Sequence, residues 1–63
     1  MLNLLINTLD GKSSNFYNLT EDGKNEFLVA YHTGKIIKFA IENGDRYFVP
    51  ANIVDFTFTN VEE

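Results

Sequence analysis

No cysteine occurs in the 63-residue chain, so no disulfide can staple it. A single histidine without any thiolate also leaves a structural zinc site short of ligands. Domains this small normally need such staples, because they bury only about 60% of their unfolded surface. What remains is an efficient apolar core, self-association, or both. Tryptophan is absent, and proline occurs once, at Pro50. Basic residues are scarce too, five against nine acidic ones, for a formal net charge of −4. Lys12, Lys24, Lys35, Lys38 and Arg46 are scattered along the chain, which disfavours direct contact with a nucleic-acid backbone. An acidic surface keeps a small domain in solution and suits it to a basic protein surface. No stretch approaches the ~20 apolar residues of a membrane span. Residues 1–7 are apolar, but Asn3 and Asn7 interrupt them and no basic flank precedes them. They do not read as a signal peptide, and a cytoplasmic location is the expectation. In that setting the sequon Asn18-Leu19-Thr20 reads as chance.

What is present is turn chemistry at regular intervals. The four glycines, Gly11, Gly23, Gly34 and Gly44, stand twelve, eleven and ten residues apart. Three follow Asp10, Asp22 and Asn43, and such dipeptides suit the tight turns of β-hairpins. Thr33-Gly34 is a weaker member, because a β-branched threonine resists positive φ. Residues 27–31 and 36–41 are rich in aromatic and β-branched side chains. Val54, Phe56 and Phe58 alternate with Asp55, Thr57 and Thr59, as in a strand with one wet face. The pattern predicts one domain over residues 1–63. Its predicted fold is all-β: a small antiparallel meander that closes into a five-stranded barrel, or a curved sheet completed by dimerisation. Residues 12–26 are ambiguous between a loop, a short strand near Phe16-Tyr17, and a helical turn capped at Thr20.

A two-residue turn at Asn43-Gly44 would pair Phe39 with Phe48, and a similar turn at Thr33-Gly34 would pair Leu28 with Phe39. Leu28, Ala30, Ile37, Phe39, Ile41 and Phe48 then share a core face. The opposite face carries Phe27, Val29, Tyr31, Ile36, Lys38, Ala40, Tyr47 and Val49. That side is too apolar for an ordinary solvated surface. Phe27, Val29, Tyr31, Ile36, Lys38, Tyr47 and Val49 are therefore the candidate interface residues, toward a protein partner or a second copy. Tyr17, Tyr31 and Tyr47 would supply rigid anchors if they lie on one open face.

The order of signals across residues 37–54 resembles the second half of an SH3-like barrel. There a strand, a tight hairpin, a second strand and a Pro-Ser-Asn-Tyr-Val-type 3₁₀ turn lead into the last strand. Phe48-Val-Pro-Ala-Asn-Ile-Val54 matches that order, with Ile53 where the family often has tyrosine. The resemblance implies a small barrel in which Pro50-Ala51-Asn52 turns the corner between sheets. It does not imply binding of proline-rich peptides, because Leu2-Asn-Leu-Leu-Ile6 lacks the aromatic motif of the family and the chain lacks its tryptophan.

Chemistry is hard to place. His32 is the only side chain that titrates near neutrality, and the sequence sets no orienting acid or nucleophile beside it. Glu42 and Asp45 flank a turn with Arg46 next to them, as in a solvated hairpin. No phosphate loop or calcium loop is found. The expectation is a protein without catalysis, cofactor or metal that binds another protein or itself as a homodimer or higher oligomer. Its style is that of small phage or mobile-element products that act as inhibitors or adaptors on a larger protein. The alternative is a nucleic-acid-associated small barrel, which requires Lys35, Lys38 and Arg46 to gather beside Tyr31 and Tyr47.

Overall fold

The computed structural model describes residues 1–61; Glu62 and Glu63, an acidic pair expected to fray, lie outside the described residues. The chain runs β1 (Leu2–Thr8), β2 (Ser13–Leu19), α1 (Glu21–Thr33), β3 (Ile37–Ile41), β4 (Gly44–Phe48), a turn of 3₁₀ helix (Pro50–Asn52) and β5 (Ile53–Asn60). The strands form two open antiparallel sheets, one of order β2-β1-β5 and one of β3 with β4. This corrects the all-β barrel expected from the sequence. The fold is mixed α/β, and no barrel closes, because a 13-residue helix replaces the hairpin that would have joined β2 to β3.

The reason lies in residues 20–34. Phe27-Leu-Val-Ala-Tyr31 is a short apolar run, and such a run fits a strand or a buried helix face equally well. The ends decide. Thr20 is extended, and its hydroxyl accepts the Gly23 N–H at 3.1 Å, with Glu21 and Asp22 in the first turn. At the other end Gly34 adopts a left-handed φ of 75°. Its N–H reaches the Tyr31 carbonyl at 3.3 Å, and the Lys35 N–H reaches that of Ala30 at 2.9 Å. That is a Schellman cap, and glycine suits it because a Cβ penalises the left-handed region. Two of the four glycines therefore bound or begin a helix. In helical geometry Phe27 and Tyr31 lie one turn apart on one face, their rings stacked at 6.2 Å.

The three-stranded sheet has a dry side and a wet side. Leu2, Leu4 and Ile6 point inward from β1 and are buried. Two irregularities aim its neighbours. In β2 the pairing slips between Leu2↔Leu19 and Leu4↔Phe16, where Asn18 takes a φ of 61°. In β5 it slips between Asn7↔Asp55 and Thr8↔Ile53. That slip sends Ile53 into the core at 7% exposure and leaves Val54 outside at 57%. The β3–β4 register also differs from expectation. Ile37 faces Phe48 and Phe39 faces Arg46, across a two-residue loop of Glu42 and Asn43, with Gly44 carrying a φ of 148°. The shift is two residues, so the same side chains still share the inner face. Of the expected core, Ile37 and Phe48 are buried, Leu28, Ala30 and Phe39 are partly buried, and Ile41 is exposed.

Aromatic rings join the two layers. Phe16 of β2 stacks on Phe39 of β3 at 4.1 Å and meets Phe48 edge-on at 5.7 Å. Phe27 of α1 meets Phe56 at 4.8 Å and Phe58 at 5.6 Å from β5, and Phe39 at 6.1 Å. Pro50–Asn52 turns the corner between β4 and β5, as its missing N–H and fixed φ favour. Residues 37–54 thus run through a hairpin and the 3₁₀ corner into β5, within two open sheets rather than a barrel.

Two substitutions test this assignment. Gly34→Ala should lower unfolding free energy by about 1–2 kcal/mol in a denaturant titration, because alanine pays the left-handed penalty. Phe27→Ala should cost about 3–5 kcal/mol, close to everything a domain of this size has, and so abolish the cooperative transition.

Candidate functional site

The structure disperses the seven candidate interface residues. Phe27 is in the core at 2% exposure, and Tyr31 is half-buried against Phe56 at 4.9 Å. Val29 is exposed on α1, and Ile36 is exposed in the connection to β3. Lys38 and Tyr47 are directly opposite each other across β3 and β4, and Val49 follows just beyond β4. Lys38 thus neighbours Tyr47, and Phe27 neighbours Tyr31, but the seven share no single face. The reason is the helix: a strand would have put alternate residues of 27–31 on one face, whereas α1 wraps them around its axis.

A different grouping emerges at the free edge of β4. Leu9, Tyr47 and Val49 are 68%, 61% and 47% exposed, and all three line one open cleft of about 380 Å³. Thr8, Asp10, Arg46, Phe48 and Asn52 complete its lining. Thr8 ends β1, Leu9 and Asp10 come from the β1–β2 turn, Arg46, Tyr47 and Phe48 from β4, and Val49 and Asn52 from the chain that leads through the 3₁₀ corner. Sequence reading missed Leu9. The signal was a leucine within the turn stretch Thr8-Leu-Asp-Gly-Lys12, where polar residues are usual.

That turn is held from several sides. The Gly11 N–H donates to the Thr8 carbonyl at 3.0 Å, and the Thr8 N–H donates to that of Lys12 at 3.0 Å. Gly11 takes the left-handed φ of 82°, and Asp10 before it does not have a positive φ. The Asp10 carboxylate accepts the Thr8 hydroxyl and, at 3.1 Å, the Lys12 N–H. Leu9 itself donates its N–H to the Asn52 carbonyl at 2.9 Å, which ties the turn to the 3₁₀ corner. Its backbone is fixed while its side chain stays in water. On the far wall the Arg46 guanidinium lies 5.1 Å from the centre of the Phe48 ring.

The remaining chemistry is sparse. His32 is exposed in the last turn of α1, and the open surface beside it is lined by Leu28, Val29, Tyr31 and Thr33. Among the described residues no three His, Asp or Glu side chains converge as a metal site. No described helix is long and apolar enough to cross a membrane. Two of the cations, Lys38 and Arg46, lie on opposite faces of the hairpin. Lys38 is 3.8 Å from Asp45, while Arg46 projects from the other face of the hairpin onto Phe48. The basic face that the nucleic-acid alternative requires is not assembled by these residues.

The Thr8 hydroxyl, then the Lys12 N–H, hold the Asp10 pKa below its ordinary 3.8, because both donate to the charged carboxylate. A depressed carboxylate stabilises the folded turn above its unfolded pKa, and that contribution disappears as pH falls through the lowered value. A carboxyl-carbon NMR titration should therefore give Asp10 a midpoint below 3.8, and Thr8→Ala should move it back toward 3.8. Comparison with protein-family models, characterised proteins and solved structures finds no match to this chain.

Proposed function

We propose that the chain is a non-catalytic protein-binding domain whose contact surface is the Leu9–Tyr47–Val49 cleft. The carrying observation is that three exposed apolar residues line one cleft, Leu9 from the β1–β2 turn and Tyr47 and Val49 from the end of β4 and just beyond it. Scattered exposed apolar residues are ordinary, but a concave group backed by a hydrogen-bonded turn is what an interface anchor needs. Leu9 loses little freedom on binding, since its backbone is already tied at both Asn52 and the Thr8–Lys12 loop. Tyr47 adds a rigid ring with a polar tip, a residue type favoured at interface centres.

The acidic charge gives the partner a sign. With nine acidic and five basic residues, the chain is drawn toward a basic protein surface, and the attraction acts chiefly on the rate of encounter. An inhibitor or adaptor in the cytoplasm, acting on a larger protein, fits that charge and size.

The test is affinity capture from the native cell by wild type and by Leu9→Asp, with spectra showing that both are folded. The expected outcome is one saturable partner that wild type retains and Leu9→Asp loses by about tenfold or more in affinity, the effect of removing a central apolar anchor. A partner held equally by both proteins would place the interface elsewhere.

A further inference from the structure

Each sheet leaves its two outer strands unpaired on one side, and the four free edges are not protected alike. β2 is interrupted by the left-handed Asn18 near its end. β3 is five residues long and carries Lys38, and β4 is five residues long, carries Asp45 and Arg46, and stops before Pro50. Bulges, charges, prolines and short length are the devices that keep strand edges from pairing with other chains. β5 has eight residues, and its one bulge is confined to its first three. From Asp55 to Asn60 it pairs with β1 without a break, and Phe56-Thr-Phe-Thr-Asn60 contains no charge, proline or glycine. Such an edge is a pairing template.

We infer that this edge takes the β5 of a second copy, antiparallel, about a two-fold axis through Thr57. The sequence of β5 is self-complementary about that point. Thr57 faces its own equivalent, Phe56 faces Phe58 of the second copy, and Asp55 faces Thr59. Thr–Thr and aromatic–aromatic pairs are among the favourable cross-strand neighbours. Phe56 and Phe58 are only half-buried in one chain, so the facing rings cover each other's remaining apolar surface. The two Asp55 carboxylates end up about four residues apart along the strands, roughly 13 Å, which exceeds the screening length at physiological salt. An axis at Asp55 would set them face to face. The assembly is a continuous sheet of order β2-β1-β5-β5-β1-β2, with both helices on one side.

This edge shares no residue with the Leu9 cleft, so the two surfaces are separable. Sedimentation of wild type from micromolar to millimolar concentration should show a reversible monomer–dimer equilibrium. Thr57→Lys and Thr57→Asp each place like charges opposite one another on the axis and should weaken the dimer about fivefold. Their equimolar mixture should restore association, which also shows that both variants fold. Thr59→Lys faces Asp55 of the second copy twice by symmetry and should tighten the dimer by a similar factor. A strict monomer throughout the range overturns the inference. So does a dimer with one dissociation constant for wild type and all the variants. Either result leaves the Leu9→Asp capture experiment untouched.

Discussion

One ring holds the architecture together. Phe27 is the only buried residue of α1, and it touches Tyr31 on its own helix, Phe39 on the hairpin sheet and Phe56 and Phe58 on the other sheet. Neither sheet pairs with the other by a strand ladder, so beyond the chain at the 3₁₀ corner it is side chains that join the layers. All six phenylalanines belong to this one network. Among the described residues only seven apolar ones are buried, and aromatic rings bring more apolar area per residue than any aliphatic side chain. A chain without disulfide or metal depends on that density.

The helix also explains which parts of the fold were legible in the sequence. Strand β5 announces itself by alternation, and the 3₁₀ corner by its proline. The β3–β4 hairpin is visible in its glycine and its aromatic residues, and a two-residue register error leaves its inward face unchanged because the strand repeat is two. α1 was hidden by Gly23, a poor helix former that reads as a turn after Asp22. At that position a Cβ would lie 3.3 Å from a Leu19 methyl group, so glycine lets the first helical turn sit close against the end of β2. The capping threonine was readable, but its consequence for the next thirteen residues required tertiary contacts. The candidate interface inherited the error, because faces follow from secondary structure. Leu9 was missed for another reason: its importance comes from proximity to β4, which no local pattern encodes.

With the helix inserted, β2 and β3 face each other across an open groove of about 760 Å³ instead of forming a ladder. The outer strands stay unpaired on one side, and the edges of β2, β3 and β4 carry a bulge or charges that the edge of β5 lacks over residues 56–60. The open sheets are therefore linked to one local decision at residues 20–34. A strand there would have closed the sheet and removed the edges.

The wet side of the three-stranded sheet carries a directional arrangement of its own. The Ser13 hydroxyl donates to Oδ1 of Asn7 at 2.6 Å, and Nδ2 of Asn7 donates to Oδ1 of Asp55 at 2.6 Å. Donor, relay and acceptor thus stand in a row across β2, β1 and β5. Turning the Asn7 amide by half a revolution would set its oxygen against a carboxylate and its nitrogen against a hydroxyl that must then reverse its own proton. The row consequently has a polarity, running from β2 to β5, that the apolar side cannot express. A hydrophobic core specifies which faces meet; three small polar groups on the opposite side specify which neighbour is which.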